Sequence, residues 1–134
     1  MLYPDDLKYT AEHEWVRVLE SDSEKVFAVV GITDFAQSEL GELVYVEVDT
    51  VGEHVQKDAI FGTVEAVKTT SDLFMPVSGH VVEFNPALNE NDGDNPGLIN
   101  DDPYQAGWII KIEVDDPTEL GKLMDASAYQ EVIV

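Results

Sequence analysis

Residues 60–84 read IFGTVEAVKTTSDLFMPVSGHVVEF, in which apolar segments flank a short polar one. Residues 61–67 and 73–77 are rich in apolar and β-branched side chains, a composition that favours strands. Lys68 falls at the bend between them, and the small polar residues that follow it tolerate a tight, exposed connection. The stretch therefore predicts two strands joined at a protruding tip, with Lys68 at that tip.

A lysine in this position suits the attachment of a group that must move between enzymes. Its amine is the usual acylation target on a flexible stem, and the strands below would hold its root rigidly. Spacing alone favours an ordinary solvated lysine in a turn, and that alternative stays open at this point. Lys57 and Lys111 are distant in the sequence, so a modifying enzyme would find Lys68 isolated, with the carboxylates of Glu65 and Asp72 nearby.

Three further segments alternate apolar and polar residues with the two-residue period of half-buried strands. Their apolar positions are Val26, Ala28 and Val30; Val44, Val46 and Val48; and Trp108, Ile110, Ile112 and Val114. The pattern predicts a mainly β protein with several short strands.

Two helices are also predicted. Residues 33–40 form the first, with Thr33 as its N-cap and Gly41 at its end. The second lies near the C-terminus and is expected to pack on the sheet. Its helical spacing is carried by Leu120, Leu123 and Met124, and a capping box by Ser127 and Gln130.

The chain has 134 residues, so one domain over 1–134 is expected. It carries 28 acidic and 7 basic side chains, for a formal net charge of −21. Such a surface would repel phosphate backbones and anionic lipids, which excludes nucleic acid and membrane surfaces as partners. The acidic surface serves either solubility or steering toward partners with basic docking faces. We expect a monomer.

Cysteine is absent, so any sulfur chemistry would have to come from a cofactor. No apolar run approaches the length that crosses a bilayer, and the first residues resemble neither a secretion signal nor a transit peptide. A cytoplasmic location is the expectation.

Metal and catalytic motifs are not recognisable. His13, His54 and His80 lack the spacing of a zinc motif and are interpreted as structural or exposed. Residues 89–97 form a turn whose ligand positions do not match a calcium loop. Trp15 and Trp108, which alternate with strand residues, are interpreted as core anchors.

The residues around Lys68 resemble the lipoylation segment of glycine cleavage H proteins. The similarity extends in order over nearly the whole chain, well beyond the lysine motif shared with lipoyl and biotinyl domains. Its segments are EAVKTTSD at 65–72, PVSGHVVEFN at 76–85, HEWV at 13–16, GITDFAQSELGELVYVEV at 31–48, LINDDPYQAGWIIKI at 98–112 and MDASAYQEV at 124–132.

The resemblance implies a flattened β sandwich or barrel of lipoyl-domain type with short helices, including a C-terminal one. It implies a non-catalytic carrier with lipoic acid covalently bound to Lys68. The carrier would take an aminomethyl group from pyridoxal-phosphate-dependent glycine decarboxylase to a tetrahydrofolate-dependent aminomethyltransferase, then be reoxidised by dihydrolipoamide dehydrogenase. A lipoate-attaching enzyme is the fourth implied partner.

The resemblance also implies a surface cleft in which the loaded arm rests near Glu14 and Asp72. A carboxylate there could pair with the aminomethyl ammonium, although both side chains could equally be ordinary exposed acids. The chain departs from many relatives at Glu12, in a longer hairpin around residues 20–24, and in a longer turn at 89–95. These departures concern the cleft and its rim.

Other functions compete with this one. The sequence hardly distinguishes this carrier role from that of an H-like relay, which passes lipoyl groups to other dehydrogenase complexes. Biotin carriage is disfavoured because Val67 and Thr69 flank the lysine where biotinyl domains usually have methionines. An unmodified interaction module or a small acidic hydrolase stays a minor alternative, since no nucleophile or base constellation supports an enzyme.

Overall fold

The structure is a computed structural model that describes residues 2–19 and 24–133. Its described strands form two antiparallel sheets, and the predicted mainly β fold is confirmed. The long hairpin predicted around residues 20–24 lies largely outside the described residues. None of the described helices is both long and apolar enough to cross a membrane.

The described strands are β1 Lys8–Tyr9, β2 Glu14–Val18, β3 Val26–Ile32, β4 Leu43–Glu47, β5 His54–Val55, β6 Ile60–Ala66, β7 Thr70–Phe74, β8 Gly79–Phe84 and β9 Ile110–Val114. Among them, six form the larger sheet in the order β1-β2-β3-β9-β8-β5, and three form the smaller sheet in the order β4-β6-β7. The helices are α1 Asp34–Leu40, α2 Leu98–Asp101 and α3 Ala126–Val132, with a 3-10 helix at Pro117–Lys122.

The main core combines the apolar faces of both sheets. It includes Val30 and Ile112 from the larger sheet and Val64 and Leu73 from the smaller one, all buried. The two-residue alternation predicted this burial for β3 and β9. The even-numbered residues point inward as expected, from Ala28 onward in β3 and from Ile110 onward in β9. Burial of these side chains fixes which face of each strand turns outward, and so which polar residues reach the surface.

The alternation predicted at Val44, Val46 and Val48, in and after β4, is wrong at Val44, which is 48% exposed. Leu43 and Val46 are the buried pair, because a register irregularity falls between Leu43 and Tyr45 in the pairing with β6. An extra residue in one strand shifts the side chains that follow it to the other face. This irregularity is not visible in a strict two-residue pattern.

The first predicted helix is confirmed with its caps. The Thr33 side chain accepts a hydrogen bond from the Ala36 amide, and Gly41 ends α1 with φ +81°. Glycine adopts this backbone conformation at little cost, which explains the clean end of the helix.

The C-terminal helix is confirmed, but its predicted capping box is wrong. Asp125, not Ser127, caps α3, since its side chain accepts from the Ala128 amide at 2.8 Å. Leu120 belongs to the separate 3-10 helix. The break between the two helices falls at 123–125, so the spacing of Leu120, Leu123 and Met124 does not belong to one continuous helix.

A second, smaller core joins the C-terminal helix to the edge of the larger sheet. Trp15 is fully buried there and donates from Nε1 to the Pro103 carbonyl oxygen, while Trp108 is half-buried against the same cluster. Tyr9 and Tyr129 stack with ring centroids 4.9 Å apart. The interpretation of both tryptophans as core residues therefore agrees with the packing.

Gly62 offers a test of how closely β6 approaches its neighbour. A Cβ at Gly62 would lie 2.6 Å from the Glu47 carbonyl oxygen, which is backbone and cannot move aside cheaply. We expect Gly62→Ala to lower the free energy of unfolding by about 1–3 kcal/mol, measured by urea denaturation. The control is Gly121→Ala, where a Cβ meets nothing within 4 Å. Equal stability of the two variants would contradict this packing.

Candidate functional site

Lys68 lies where the sequence predicts it, in the connection between β6 and β7. The Ala66 amide donates to the Thr69 carbonyl oxygen at 2.7 Å and closes the turn. The Val67 amide donates to the Glu42 carbonyl oxygen at 3.2 Å, which anchors the start of the turn to the chain before β4. Val67 is 66% exposed and Lys68 is also exposed. The backbone of the tip is held while its side chains stand in solvent.

The ammonium of Lys68 has no ion pair, hydrogen bond or ring contact within residues 2–19 and 24–133. Most other basic side chains have a partner. Arg17 lies over the Trp15 ring at 5.1 Å, Lys25 pairs with Glu113 at 3.4 Å, Lys57 donates to the Pro76 carbonyl oxygen at 3.3 Å, and Lys111 lies over the Phe27 ring at 5.4 Å. A protein with so many carboxylates thus leaves the Lys68 amine unengaged at an exposed tip.

Glu65 and Asp72 stand on the two strands that support this tip. Glu65 is in register with Thr70, and Asp72 with Thr63. Paired residues of antiparallel strands point to the same face, and so do residues two apart along a strand. Both carboxylates therefore share the exposed face of the hairpin.

A cleft of about 280 Å³ opens beside β7. Its walls come from the turn before β2, from one side of α1, and from β7 itself. The residues that line it are Glu12, His13, Glu14, Ile32, Phe35, Ala36, Glu39, Leu40, Ser71, Asp72 and Leu73. Glu14 and Asp72, predicted to share a cleft, lie along the same cavity. Glu12, at which the resemblance indicated a departure from many relatives, is on the same lining.

Glu14 is a buried carboxyl, only 2% exposed. Thr10 donates from Oγ1 to Glu14 Oε1 at 2.9 Å, and the backbone of Phe74 on β7 also hydrogen-bonds the carboxylate. No Lys, Arg or His forms an ion pair with it in the described part of the chain. Burial raises the pKa of Glu14 to about 8, against the two hydrogen bonds, which act to lower it.

The two acids differ in their burial. An ordinary exposed acid is the wrong description of Glu14, whereas Asp72 is exposed. A carboxyl that is desolvated, hydrogen-bonded and without a cation at a cleft is suited to receive a positive group from outside. The first three residues of β2, Glu14, Trp15 and Val16, are all buried. Burial does not alternate at the start of this strand, so a two-residue pattern does not indicate that Glu14 is buried.

His13 forms part of the cleft wall, a role that sequence reasoning missed. Its backbone has φ +71°, and its ring packs on Phe35 with centroids 5.1 Å apart. Burial lowers the pKa of His13, with an opposing effect from Glu12. The sequence signal was the position of His13 beside Glu14 in HEWV, but the spacing of a motif does not reveal that the His13 ring contacts α1.

His54 and His80 lie elsewhere, on the paired strands β5 and β8 rather than in turns. Their rings are 5.0 Å apart at the centroids, and both approach the Asp115 carboxylate. No group of three histidines or carboxylates in the described ranges is arranged to hold a metal ion.

Comparison with known proteins connects this geometry to a family. The profile described as "Glycine cleavage H-protein" matches residues 7–134. The chain belongs to the glycine cleavage H-protein family. It is 51% identical to the glycine cleavage system H protein of Chlorobium limicola and 50% identical to that of Bacteroides fragilis, in each case over 99% of this chain and 98% of the relative.

A solved structure agrees with this assignment. The crystal structure of a glycine cleavage system H protein from Mycobacterium marinum superposes with a TM-score of 0.82 at 40% identity, and the match covers 96% of each chain. The H-protein family is the carrier component of the glycine cleavage system, and its members carry a lipoyl group. The predicted family, fold class and carrier role are thereby confirmed.

The buried Glu14 predicts a specific pH dependence of stability. Its pKa is about 8 in the folded state against an ordinary 4.5, so the folded protein holds a proton between these pH values that the unfolded chain has lost. Its contribution to stability is full below pH 4.5 and is lost as the pH rises through 8. Glu14→Gln keeps the neutral form, so the variant should gain stability relative to wild type over this window.

The gain is expected to reach a few kcal/mol, since one pKa unit corresponds to about 1.4 kcal/mol. Urea unfolding at several pH values between 4 and 9 measures it. Glu53→Gln, at an exposed carboxylate, should retain the wild-type pH profile. Parallel profiles for wild type and Glu14→Gln would contradict the burial of an uncompensated carboxyl.

Proposed function

We propose that Lys68 is the lipoyl attachment site and that residues 1–134 act as one non-catalytic carrier domain of the glycine cleavage system. The observation that carries the proposal is the unengaged amine of Lys68 at the tip of a fixed hairpin, in a chain of this family. Acylation of an amine requires access and leaves no charge, so a lysine in an ion pair would lose that pair on modification. Lys68 has none to lose among the described residues.

The position of the cleft supports the same proposal. Residues 71–73 line it and begin three positions after Lys68 on an extended strand, so their Cα atoms are roughly 10–17 Å from Lys68 along β7. Roughly a dozen bonds separate the lysine Cα from the far end of an attached eight-carbon acyl chain, a span close to four extended residues, about 14 Å. An arm rooted at Lys68 is therefore long enough to enter the cleft.

The size and lining of the cleft also fit the group. A volume of about 280 Å³ lies just below the range of pockets for drug-sized ligands, which suits the end of an arm. Phe35, Leu40 and Leu73 provide apolar contacts for a dithiolane, while Glu14 and Asp72 provide carboxylates. When bound, the lipoyl group supplies a disulfide that takes up the aminomethyl group and is later restored by oxidation of the dithiol. The chain has no cysteine that could exchange with it.

The role of Glu14 and Asp72 in this proposal is to hold a cation. An ammonium entering the cleft provides the counter-charge that the buried Glu14 lacks, so the carboxyl gives up its proton as the pair forms. Asp72 lies nearer the solvent and adds attraction that salt screens more strongly. An arm seated in the cleft would cover the pair and shield it from water, which protects a labile group at the end of the arm.

The exposed face of the hairpin is proposed to recognise enzymes that act on Lys68. Glu65 and Asp72 share that face, so an active site that encloses the lysine meets both carboxylates. The proposed partners are glycine decarboxylase, the aminomethyltransferase, dihydrolipoamide dehydrogenase and a lipoate-attaching enzyme. A net charge of −21 would speed encounter with any of them that has a basic entrance.

Lys68→Arg tests the attachment site, with Lys111→Arg as the matched control. Arginine keeps the charge but does not form the same amide, so Lys68→Arg should gain no mass with lipoate and its ligase. Its support of carbon dioxide exchange by glycine decarboxylase should fall to the level without carrier. Lys111, which lies over the Phe27 ring, should tolerate arginine with wild-type mass gain and exchange. A lipoylated Lys68→Arg protein, or one that supports exchange, would overturn the proposal.

A further inference from the structure

Tyr129 of the C-terminal helix contacts residues of the segments that form the cleft. Tyr129 of α3 is fully buried, stacked on Tyr9 at an interplanar angle of 9° and contacted edge-on by Tyr3. Packing on more than one side fixes the ring, and with it the position of the hydroxyl. The hydroxyl lies within hydrogen-bond distance of two groups, Thr33 Oγ1 at 2.7 Å and His13 Nδ1 at 2.9 Å.

These two partners belong to two of the segments that form the cleft. His13 lines it from the turn before β2, and Thr33, which is not itself a lining residue, is the N-cap of α1, the helix that supplies other lining residues. The Thr33 amide also donates to the His13 carbonyl oxygen at 3.0 Å. The two segments are thus joined once through the backbone and once through the Tyr129 hydroxyl.

The direction of each hydrogen bond follows from counting protons. Thr33 Oγ1 already accepts from the Ala36 amide, and within the described residues its own proton has one acceptor, the Tyr129 oxygen. A buried hydroxyl proton needs that acceptor. The Tyr129 proton then goes to His13 Nδ1, which leaves a neutral imidazole whose proton is on Nε2.

His13 needs such support because its backbone is unfavourable. A φ of +71° is uncommon for a residue with a side chain and persists only where the surroundings hold it. The His13 amide donates to the Thr10 carbonyl oxygen at 3.1 Å, and the ring is held between Phe35 and the Tyr129 hydroxyl. Removing the hydroxyl frees the imidazole and leaves the Thr33 proton without a partner.

We propose that Tyr129 is a positioning residue for the cleft, whose hydroxyl sets the tautomer and orientation of His13 and ties it to the start of α1. The placement of the walls follows from the contacts above, and the consequence for an arm on Lys68 rests on the proposed function. Tyr129 does not line the cavity, so it acts on the arm through His13 and α1.

Tyr129→Phe tests the inference, and Tyr9→Phe is its matched control. Each removes one hydroxyl from the same stacked pair, since Tyr9 donates to the Pro4 carbonyl oxygen at 2.7 Å, away from His13. Both variants should stay folded with a lowered urea midpoint, and the drop should be larger for Tyr129→Phe, which loses two hydrogen bonds rather than one. The first readout is the nitrogen-15 NMR spectrum of the His13 imidazole in protein without lipoyl. Wild type and Tyr9→Phe should show a protonated Nε2 and unprotonated Nδ1, and Tyr129→Phe a mixture of tautomers.

The second readout is the rate at which lipoylated, aminomethyl-loaded protein loses ammonia in the absence of partner enzymes. Loss from Tyr129→Phe should be about 3- to 10-fold faster than from wild type, the effect expected for one buried hydrogen bond, with Tyr9→Phe close to wild type. An unchanged His13 tautomer in Tyr129→Phe overturns the inference whatever the state of Lys68. A changed tautomer with unchanged loss, or equal loss from both variants, overturns the link to the arm and leaves Lys68 attachment unaffected.

Discussion

Burial of the Glu14 carboxyl without a cation is the constraint on which the cleft depends. Its oxygens accept hydrogen bonds from the side chain of Thr10, which lies just before the turn that leads into β2, and from the backbone of Phe74 in the smaller sheet. The same group therefore joins β2 to β7 and lines the cavity between them. Because its charged form is poorly solvated there, the folded protein favours a proton or an external cation at this point. Stability therefore favours a neutral Glu14, whereas the proposed binding of a cation on the arm favours an ionised one.

Much of the fold follows from local sequence. The caps of α1, the inward faces of β3 and β9, and the exposed tip at Lys68 each depend on a few neighbouring residues, and all three agree with the structure. Prediction from local sequence failed where a shift of one or two residues decides which side chain is buried or which one caps a helix. The irregularity at Leu43 turned Val44 outward, and the break before Asp125 moved the cap of α3 away from Ser127.

The site was predicted less completely than the fold. A lysine at a hairpin tip is recognisable because the tip is made by adjacent residues. The cleft is made by segments far apart in the chain, so the burial of Glu14 and the wall contact of His13 depend on how β7 and α1 pack against β2. The resemblance placed Glu14 and Asp72 near one another, but only the packing distinguishes a desolvated carboxyl from an exposed one.

The central claim is that Glu14 exchanges its proton for a cation brought by the arm. Carbon-13 NMR of the Glu14 side-chain carboxyl, titrated with and without the aminomethyl group on lipoylated protein, measures this most directly. The account predicts a pKa near 8 in the unloaded protein and a fall to below neutrality in the loaded one. The same Glu14 pKa in both states, or an ordinary value near 4.5 in the unloaded protein, would contradict it.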